Sequence, residues 1–395
     1  MMWVNRLRRA RRRAQPDRNI VIKPVYIDYP CEVSTAEPSP TSTAGVESSP
    51  SKRATIGDVA ARAGVSKSTV SFVVNGRPGV SATSRDRVLR AAAALGWQPS
   101  ARARALSRNR TQAVGLVIRR DPELLSTDPF FPQFMAGIEI GLAAREYSLV
   151  LQVVGDEQSE RAAYRRFARE SRADGVFLTD LRIHDTRPEE LRELGLTAVI
   201  VAPEGTEPGG DPTIGMNDDA GVRRAVHHLH SLGHQHIAHV MGTAGYVHTE
   251  ARRRAWQGAL EELGLPIGTV VTADFTGASG ARATHELLDL PQPPTAIVYG
   301  NDLMAIAGIS VAADRGLRVP DDLSVVGFDD IPLAPYTVPP LTTVRQNVVA
   351  WGTAAAQTLV ALVEGKQPPP VDLPPVEFIV RGSTGRTSTR DTGSR

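Results

Sequence analysis

The sequence has a single cysteine, Cys31, in 395 residues. One thiol forms no internal disulfide and supplies no cysteine pair for zinc, which excludes a secreted disulfide scaffold and fits a reducing cytosol. No uninterrupted apolar stretch approaches the roughly 20 residues that a bilayer demands, so a membrane-spanning chain is excluded. The apolar segment of a signal peptide is also missing: Gln15, Asp17, Arg18 and Asn19 follow the basic start instead, and export is not expected. The sequence contains no nucleophile and base at catalytic spacing, no glycine-rich phosphate loop and no dinucleotide fingerprint, so it lacks machinery for catalysis and no cofactor is expected.

Acidic residues are nearly absent from one segment. Residues 51–112 hold 12 Lys and Arg against only Asp58 and Asp86, whereas residues 113–395 hold 25 against 36. The formal balance of +2 hides this segregation. A compact basic segment ahead of an acidic body suggests that the first part meets a polyanion, with nucleic acid the leading candidate. The length predicts about two to three domains.

Residues 1–50 pair an Arg-rich run, Arg6 to Arg13, with a Pro/Ser/Thr/Glu stretch, Ser34 to Pro50, that has little to bury. They read as a disordered tail, as do residues 386–395. Residues 51–97 carry three short helical patterns. The first places Ile56, Val59, Ala60 and Ala63 on one face, has Thr55 and Asp58 at capping-box spacing, and breaks at Gly64. The second starts at a Ser66 cap, turns Val70, Val73 and Val74 inward, and stops at Asn75-Gly76. The third runs from Ala82 to Leu95 behind Ser81, with Val88, Leu89, Ala92 and Leu95 inward and Gly96 as its stop.

A helix, a glycine-containing turn and a second helix make a helix-turn-helix, whose second helix enters the major groove of DNA. Here that helix opens Ser66-Lys67-Ser68-Thr69, a polar first turn that brings amides and hydroxyls to phosphates while Lys67 and Ser68 face base edges. Residues 98–111 form a linker with Ala103, Leu106 and four arginines, too little apolar surface to fold alone.

Residues 112–385 change texture. Apolar runs at 113–118, 149–154, 175–179, 198–202, 237–242, 296–299 and 323–328 alternate with amphipathic stretches. Runs this uniformly apolar predict strands buried on both faces, hence a parallel sheet of βα units. The segment is large for one sheet, so two lobes with a ligand cleft beyond the strand carboxyl ends are expected.

Thr55-Ile56-Gly57-Asp58-Val59-Ala60, Ala63-Gly64-Val65-Ser66, Thr69-Val70-Ser71 and Asn75-Gly76 resemble the head of the lactose-repressor/galactose-repressor family of bacterial transcription regulators. The likeness continues through Trp97-Gln98-Pro99-Ser100, Asp174-Gly175, Gly233-His234, Asn301-Asp302, Gly327-Phe328-Asp329-Asp330 and Leu341-Thr342-Thr343 to Arg381-Gly382-Ser383-Thr384. The resemblance implies a three-helix DNA-binding head, a hinge helix and a two-lobed core like that of periplasmic binding proteins. It also implies a homodimer that binds near-palindromic double-stranded operator DNA in the cytoplasm, at the nucleoid, as a repressor under the control of a sugar-like effector. Thr55, Ser66, Lys67, Ser68, Thr69, Phe72 and Asn75 would lie at the DNA, and Ala103 and Leu106 would belong to a hinge helix formed on operator, with Leu106 as the wedge between base steps. Family members often have Arg in the middle of the recognition helix, whereas this chain has Phe72, either an apolar base contact or a residue packed beneath the head.

For the core, the resemblance carries effector contacts to Arg252, Asn301, Asp329 and, more weakly, Gln346. It makes Phe275 an aromatic platform, places Phe130 and Phe131 on the opposite lobe, and assigns Tyr246 and His248 to a variable wall. Asp302 is assigned a helix-capping role, and Arg253 and Arg254 are expected to face solvent. Ala202 stands where several sugar-responsive members have Asp, so one hydroxyl-binding carboxylate is absent. Three other functions compete with this one: an enzyme, a solute-capture protein and a metal sensor. The last rests on His227, His228, His230, His234, His236 and His239, of which His227 and His230 share a helix face while the others spread over a turn and a strand. No metal site is expected, and the absence of a C-terminal heptad run gives no sign of a tetramer.

Overall fold

The computed structural model describes residues 54–98, 110–120, 127–206 and 209–387. Helices α1 (Ile56–Ala63), α2 (Lys67–Val74) and α3 (Ala82–Ala94) come first. Each begins where a hydroxyl satisfies an otherwise orphaned amide. The Asp58 amide donates to Thr55 Oγ1 while the Thr55 amide donates to the Asp58 carboxylate at 2.8 Å, the reciprocal box the spacing predicted. The Thr69 amide donates to Ser66 Oγ at 3.1 Å and the Ser84 amide to Ser81 Oγ at 3.3 Å. Val59, Ala60, Ala63, Val70, Val73, Val88 and Ala91 make the small core. Leu89, expected to point inward, is 52% exposed: the helical period carries it past the seam, which Val88, Ala91, Ala92 and Leu95 fill instead.

The next elements are β1 (Ala113–Arg119), α4 (Phe130–Ala143), β2 (Ser148–Val154), α5 (Glu157–Arg169), β3 (Gly175–Leu178), α6 (Arg187–Glu193), β4 (Thr197–Val201) and β5 (Thr213–Ile214). Their strands form an all-parallel sheet in the order β2-β1-β3-β4-β5. A second parallel sheet, ordered β7-β6-β8-β9, is built from α7 (Asp218–Ser231), β6 (Ile237–Met241), α8 (Val247–Glu262), β7 (Val270–Thr272), α9 (Gly277–Leu288), β8 (Ala296–Tyr299), α10 (Asp302–Asp314) and β9 (Ser324–Val326). β10 (Thr343–Arg345) pairs antiparallel with β11 (Glu377–Ile379) against α7, while α11 (Val348–Val363) returns to the first sheet and packs along α4. The chain therefore crosses between two lobes after β5, after β10 and after α11.

All seven apolar runs are strands. One departs from its expected environment: β2 is an edge strand with Leu151 and Val153 about 40% exposed, because neighbour β1 covers only one side of it. Among the described residues no helix is long and apolar enough to cross a membrane.

Candidate functional site

On α2, Lys67, Ser68 and Phe72 are exposed, while Val70 and Val73 bind the helix to its neighbours. Phe72 is not packed beneath the head; 40% of it faces outward. Thr55, Ser66 and Thr69 hold the helix starts, and Asn75 ends α2 with its side-chain amide donating to the Ser71 carbonyl at 2.8 Å. Ala103 and Leu106 lie outside the described residues.

The second site is the cleft between the sheets, where strand carboxyl ends from both lobes meet. It encloses about 600 Å³ of space, counting its open mouth. The first lobe contributes Arg120, Asp128, Phe130, Phe131, Thr179, Asp180, Ala202 and Trp351, and the second contributes Asp218, His248, Arg252, Phe275, Asn301 and Asp329. Polar side chains can converge here because backbone strands end and amides of the following helices begin, while the apolar strands beneath stay dry.

Two guanidiniums organise the polar groups. Arg120 forks onto Asp180, with Nε 3.0 Å from Oδ2 and Nη2 2.7 Å from Oδ1. Its guanidinium also lies 5.1 Å from the Tyr246 ring and 5.3 Å from Phe275, so a first-lobe cation sits against second-lobe aromatics. Burial alone would raise the Asp180 pKa, but Arg120 outweighs it and holds the carboxyl below its ordinary value. Arg252 donates to Asp218 Oδ2 at 2.9 Å and to the Gly300 carbonyl at 2.8 Å, and its guanidinium lies 3.6 Å from the Phe328 ring centre. Asp218 is 3% exposed and its Oδ1 has no hydrogen-bond partner among the described residues; burial prevails over Arg252 and raises its pKa.

Asp128 and Asp329 line the cavity and have no ion-pair partner among the described residues. Burial pushes Asp128 up, and pushes Asp329 well above the carboxylate range, where the charges of Asp128, Asp302 and Asp218 add to the shift. Asp329 has φ 110°, and Gln346 donates to its Oδ1 at 3.3 Å. His248 is sandwiched between Tyr246 and Phe275, with ring centres 5.5 and 5.6 Å away, and burial lowers its pKa to about 3, so the ring is neutral at pH 7. Phe275 itself, at φ 70°, sets the tip of its ring against Gly242, just after β6, where any Cβ would collide with it.

Of the expected effector residues, Phe130, Phe131, His248, Arg252, Phe275, Asn301 and Asp329 therefore meet at one cavity. Tyr246 and Gln346 stand behind it, the first 6% and the second 4% exposed. Asn301 rather than Asp302 caps α10: its Oδ1 accepts the Met304 amide at 3.0 Å and its amide donates to the Phe275 carbonyl at 2.9 Å. Asp302 is fully buried and accepts from Thr343 Oγ1 at 2.5 Å and the Ile331 amide at 2.8 Å, which corrects its expected capping role. Arg253 pairs with Glu250 beside Arg254 on the outer face of α8.

Arg120, Asp128, Asp180, Asp218 and Trp351 were missed. Arg120 directly follows β1 and Asp180 follows β3 after Thr179, so the rule that singled out Asn301 and Asp329, a polar residue just past an apolar strand, finds them in the first lobe as well. Ala202 does line the cleft, and Asp180 and Asp218 supply carboxyl groups to the same cavity.

The histidines have separate tasks. His234 bonds Thr295 and Ser324, each at 2.9 Å, and His239 bonds the Val298 carbonyl and stacks on Trp256. His228, expected in the turn or strand, lies on α7 and bonds Thr384. Among the described residues no group of three or more His, Cys, Asp or Glu could hold a metal ion.

Residues 55–100 match the family described as bacterial regulatory proteins, lacI family, and residues 226–384 match the periplasmic binding protein-like domain. The HTH-type transcriptional regulator CelR of Thermobifida fusca is 33% identical over 329 residues, covering 82% of this chain and 95% of that protein. A solved complex of CelR with cellobiose superposes with a TM-score of 0.64 at 32% identity, covering 84% of this chain and all of the other. The lac repressor dimer bound to operator and the anti-inducer ONPF gives a TM-score of 0.72 at 28% identity, covering 85% of this chain and all of the other. These relatives are regulators, not enzymes. The chain belongs to the LacI family of bacterial transcription regulators, DNA-binding proteins under the control of a small-molecule effector.

Proposed function

We propose that the protein is a homodimeric repressor that grips a near-palindromic operator at the nucleoid and responds to a sugar-like effector held between its lobes. The observation that carries the effector reading is the composition of the cleft. Four carboxyl groups and two guanidiniums alternate with Phe130, Phe131, Phe275 and Trp351, the pairing of hydroxyl-binding polar groups with flat apolar faces that a pyranose or a related polyol needs. Each guanidinium already has a carboxylate, so the ligand meets no unbalanced positive charge, which disfavours phosphates and other anions. CelR, held in complex with cellobiose, lends the same direction.

Dimerisation is supported by Leu333, Tyr336 and Val338, an apolar group 61 to 90% exposed on the second lobe, and by Ile140, Leu151 and Val153 on the first. Residues 98–111 would form the hinge, with Leu106 as its wedge, between a head at 51–97 and a core at 112–385. The test is a thermal-shift screen of sugars and polyols on the full chain, repeated with Asp329→Ala. The expected result is stabilisation of the wild type by a neutral polyol and its loss in the variant, with operator binding intact. Stabilisation that survives in Asp329→Ala would refute the pocket.

A further inference from the structure

The end of α2 fixes an arginine above the aromatic ring that the recognition helix turns outward. Asn75 caps the helix and Gly76 follows at φ 66°, a left-handed residue that glycine adopts without a Cβ clash. The Gly76 amide then donates to the Val73 carbonyl at 3.2 Å and the Arg77 amide to the Phe72 carbonyl at 2.9 Å. These two bonds make the six-to-one closure in which the second residue past the cap folds back onto the third from the end. The side chains that this closure usually brings together are both apolar. Here they are Arg77 and Phe72, and the guanidinium lies 5.8 Å from the ring centre. The placement is thus dictated by the backbone of the helix stop, not by a freely sampled surface arginine.

Phe72 is one helical turn after Ser68, so both lie on the exposed face of α2, and Arg77 extends that face beyond the helix end. Stacking against a ring restricts the rotamers of a guanidinium, which is planar in itself and whose N–H edge carries two parallel donors. That edge matches the paired O6 and N7 acceptors of guanine in the major groove, and the edge of the ring matches a thymine methyl.

We infer that Arg77 and Phe72 act as one base-reading unit, with Arg77 forking onto a guanine in each half-site and Phe72 serving as its platform and as an apolar contact to the adjacent base. This rests on α2 entering the major groove, and it adds to that reading a specificity-determining residue that lies outside the helix. The unit differs from a basic residue that only neutralises phosphate, which would strengthen binding to every sequence alike.

The experiment is selection of duplexes from a randomised pool by the full-length protein and by Arg77→Ala, Arg77→Lys and Phe72→Ala, followed by affinity measurements at fixed ionic strength. Both side chains are exposed and the closure is made by backbone atoms, so the variants keep the head folded. The wild type is expected to select a guanine at one position per half-site, and Arg77→Ala to lose that preference alone. Its affinity for the wild-type consensus should fall about 5- to 150-fold, the range of one bidentate base contact, and be nearly unchanged where the guanine has been replaced. Arg77→Lys should lose most of the guanine preference despite keeping the charge, and Phe72→Ala should weaken it at the same position. An unchanged consensus in Arg77→Ala overturns the inference, whether affinity falls uniformly, as for a phosphate contact, or does not fall at all. If the wild type itself enriches no consensus, the DNA-reading function fails with it, an outcome visible before any variant is examined.

Discussion

Replacing Arg252 by Met isolates the buried pair on which the second lobe's half of the cleft depends. Met keeps the length of the stem over Phe328 and removes the guanidinium, so packing changes little while Asp218 loses the Nε donor at 2.9 Å and Gly300 loses its partner at 2.8 Å. Asp218 is 3% exposed and its other oxygen already lacks a hydrogen-bond partner among the described residues, so the carboxylate becomes an uncompensated buried charge. Breaking such a pair from one side costs about 3–5 kcal/mol, a third or more of the stability of an ordinary domain. The cost carries a pH signature. A carboxyl whose folded pKa is raised destabilises the fold above that pKa and not below its unfolded value, and losing Arg252 raises Asp218 further. Urea unfolding of the full-length variant should therefore show a deficit at pH 7.5 that shrinks as the pH falls towards 5. Adding Asp218→Asn to Arg252→Met should restore much of the loss. A single variant within about 1 kcal/mol of wild type at every pH would refute the reasoning, since an unpaired buried carboxylate of this kind exceeds that cost.

Burial raises Asp302 to about 7, so between the ordinary carboxyl value and pH 7 the native state holds a proton that the unfolded chain has released. Stability of wild type relative to Asp302→Asn should thus decline as pH rises across that window, and a pH-independent difference in paired unfolding curves would contradict it. Tyr336→Asp places a charge in an apolar group at a side chain 81% exposed, so the fold is spared. Sedimentation should show a shift from dimer to monomer, and an unchanged dimer would move the interface elsewhere. Ser66→Ala removes the oxygen that accepts the Thr69 amide at the start of the recognition helix. About 1 kcal/mol of head stability should be lost in thermal unfolding of the full chain, with no change predicted for the core transition.

Much of this architecture is written in local chemistry. Thr55 with Asp58, Ser66, Ser81, Gly64 and Gly76 announce the head helices because capping and left-handed turns need those residue types whatever surrounds them. The central strands are legible because a strand covered on both faces has no polar positions. Strands β5, β7, β10 and β11 are two or three residues long and leave no periodic trace, and edge strand β2 carries the same apolar letters as a buried one. In the cleft, Arg252, Asn301 and Asp329 are legible by motif and strand end, whereas the helix cap expected of Asp302 is made by Asn301. Capping depends on which of two adjacent side chains turns back to the amide of Met304, and the pull of Thr343 and Ile331 on Asp302 comes from residues about 30 to 40 positions away. The Arg120 contacts with Tyr246 and Phe275 join opposite lobes, a juxtaposition that no window of sequence contains.

The account stands on coupling between cleft and duplex, and one titration measures it. Full-length protein is bound to its selected operator at fixed salt, and the ligand that stabilises the cleft is added. Operator affinity should change by about 5- to 150-fold, and the ligand's own affinity should change by the same factor when operator is present. Equal operator affinity with the cleft empty and saturated would contradict the account.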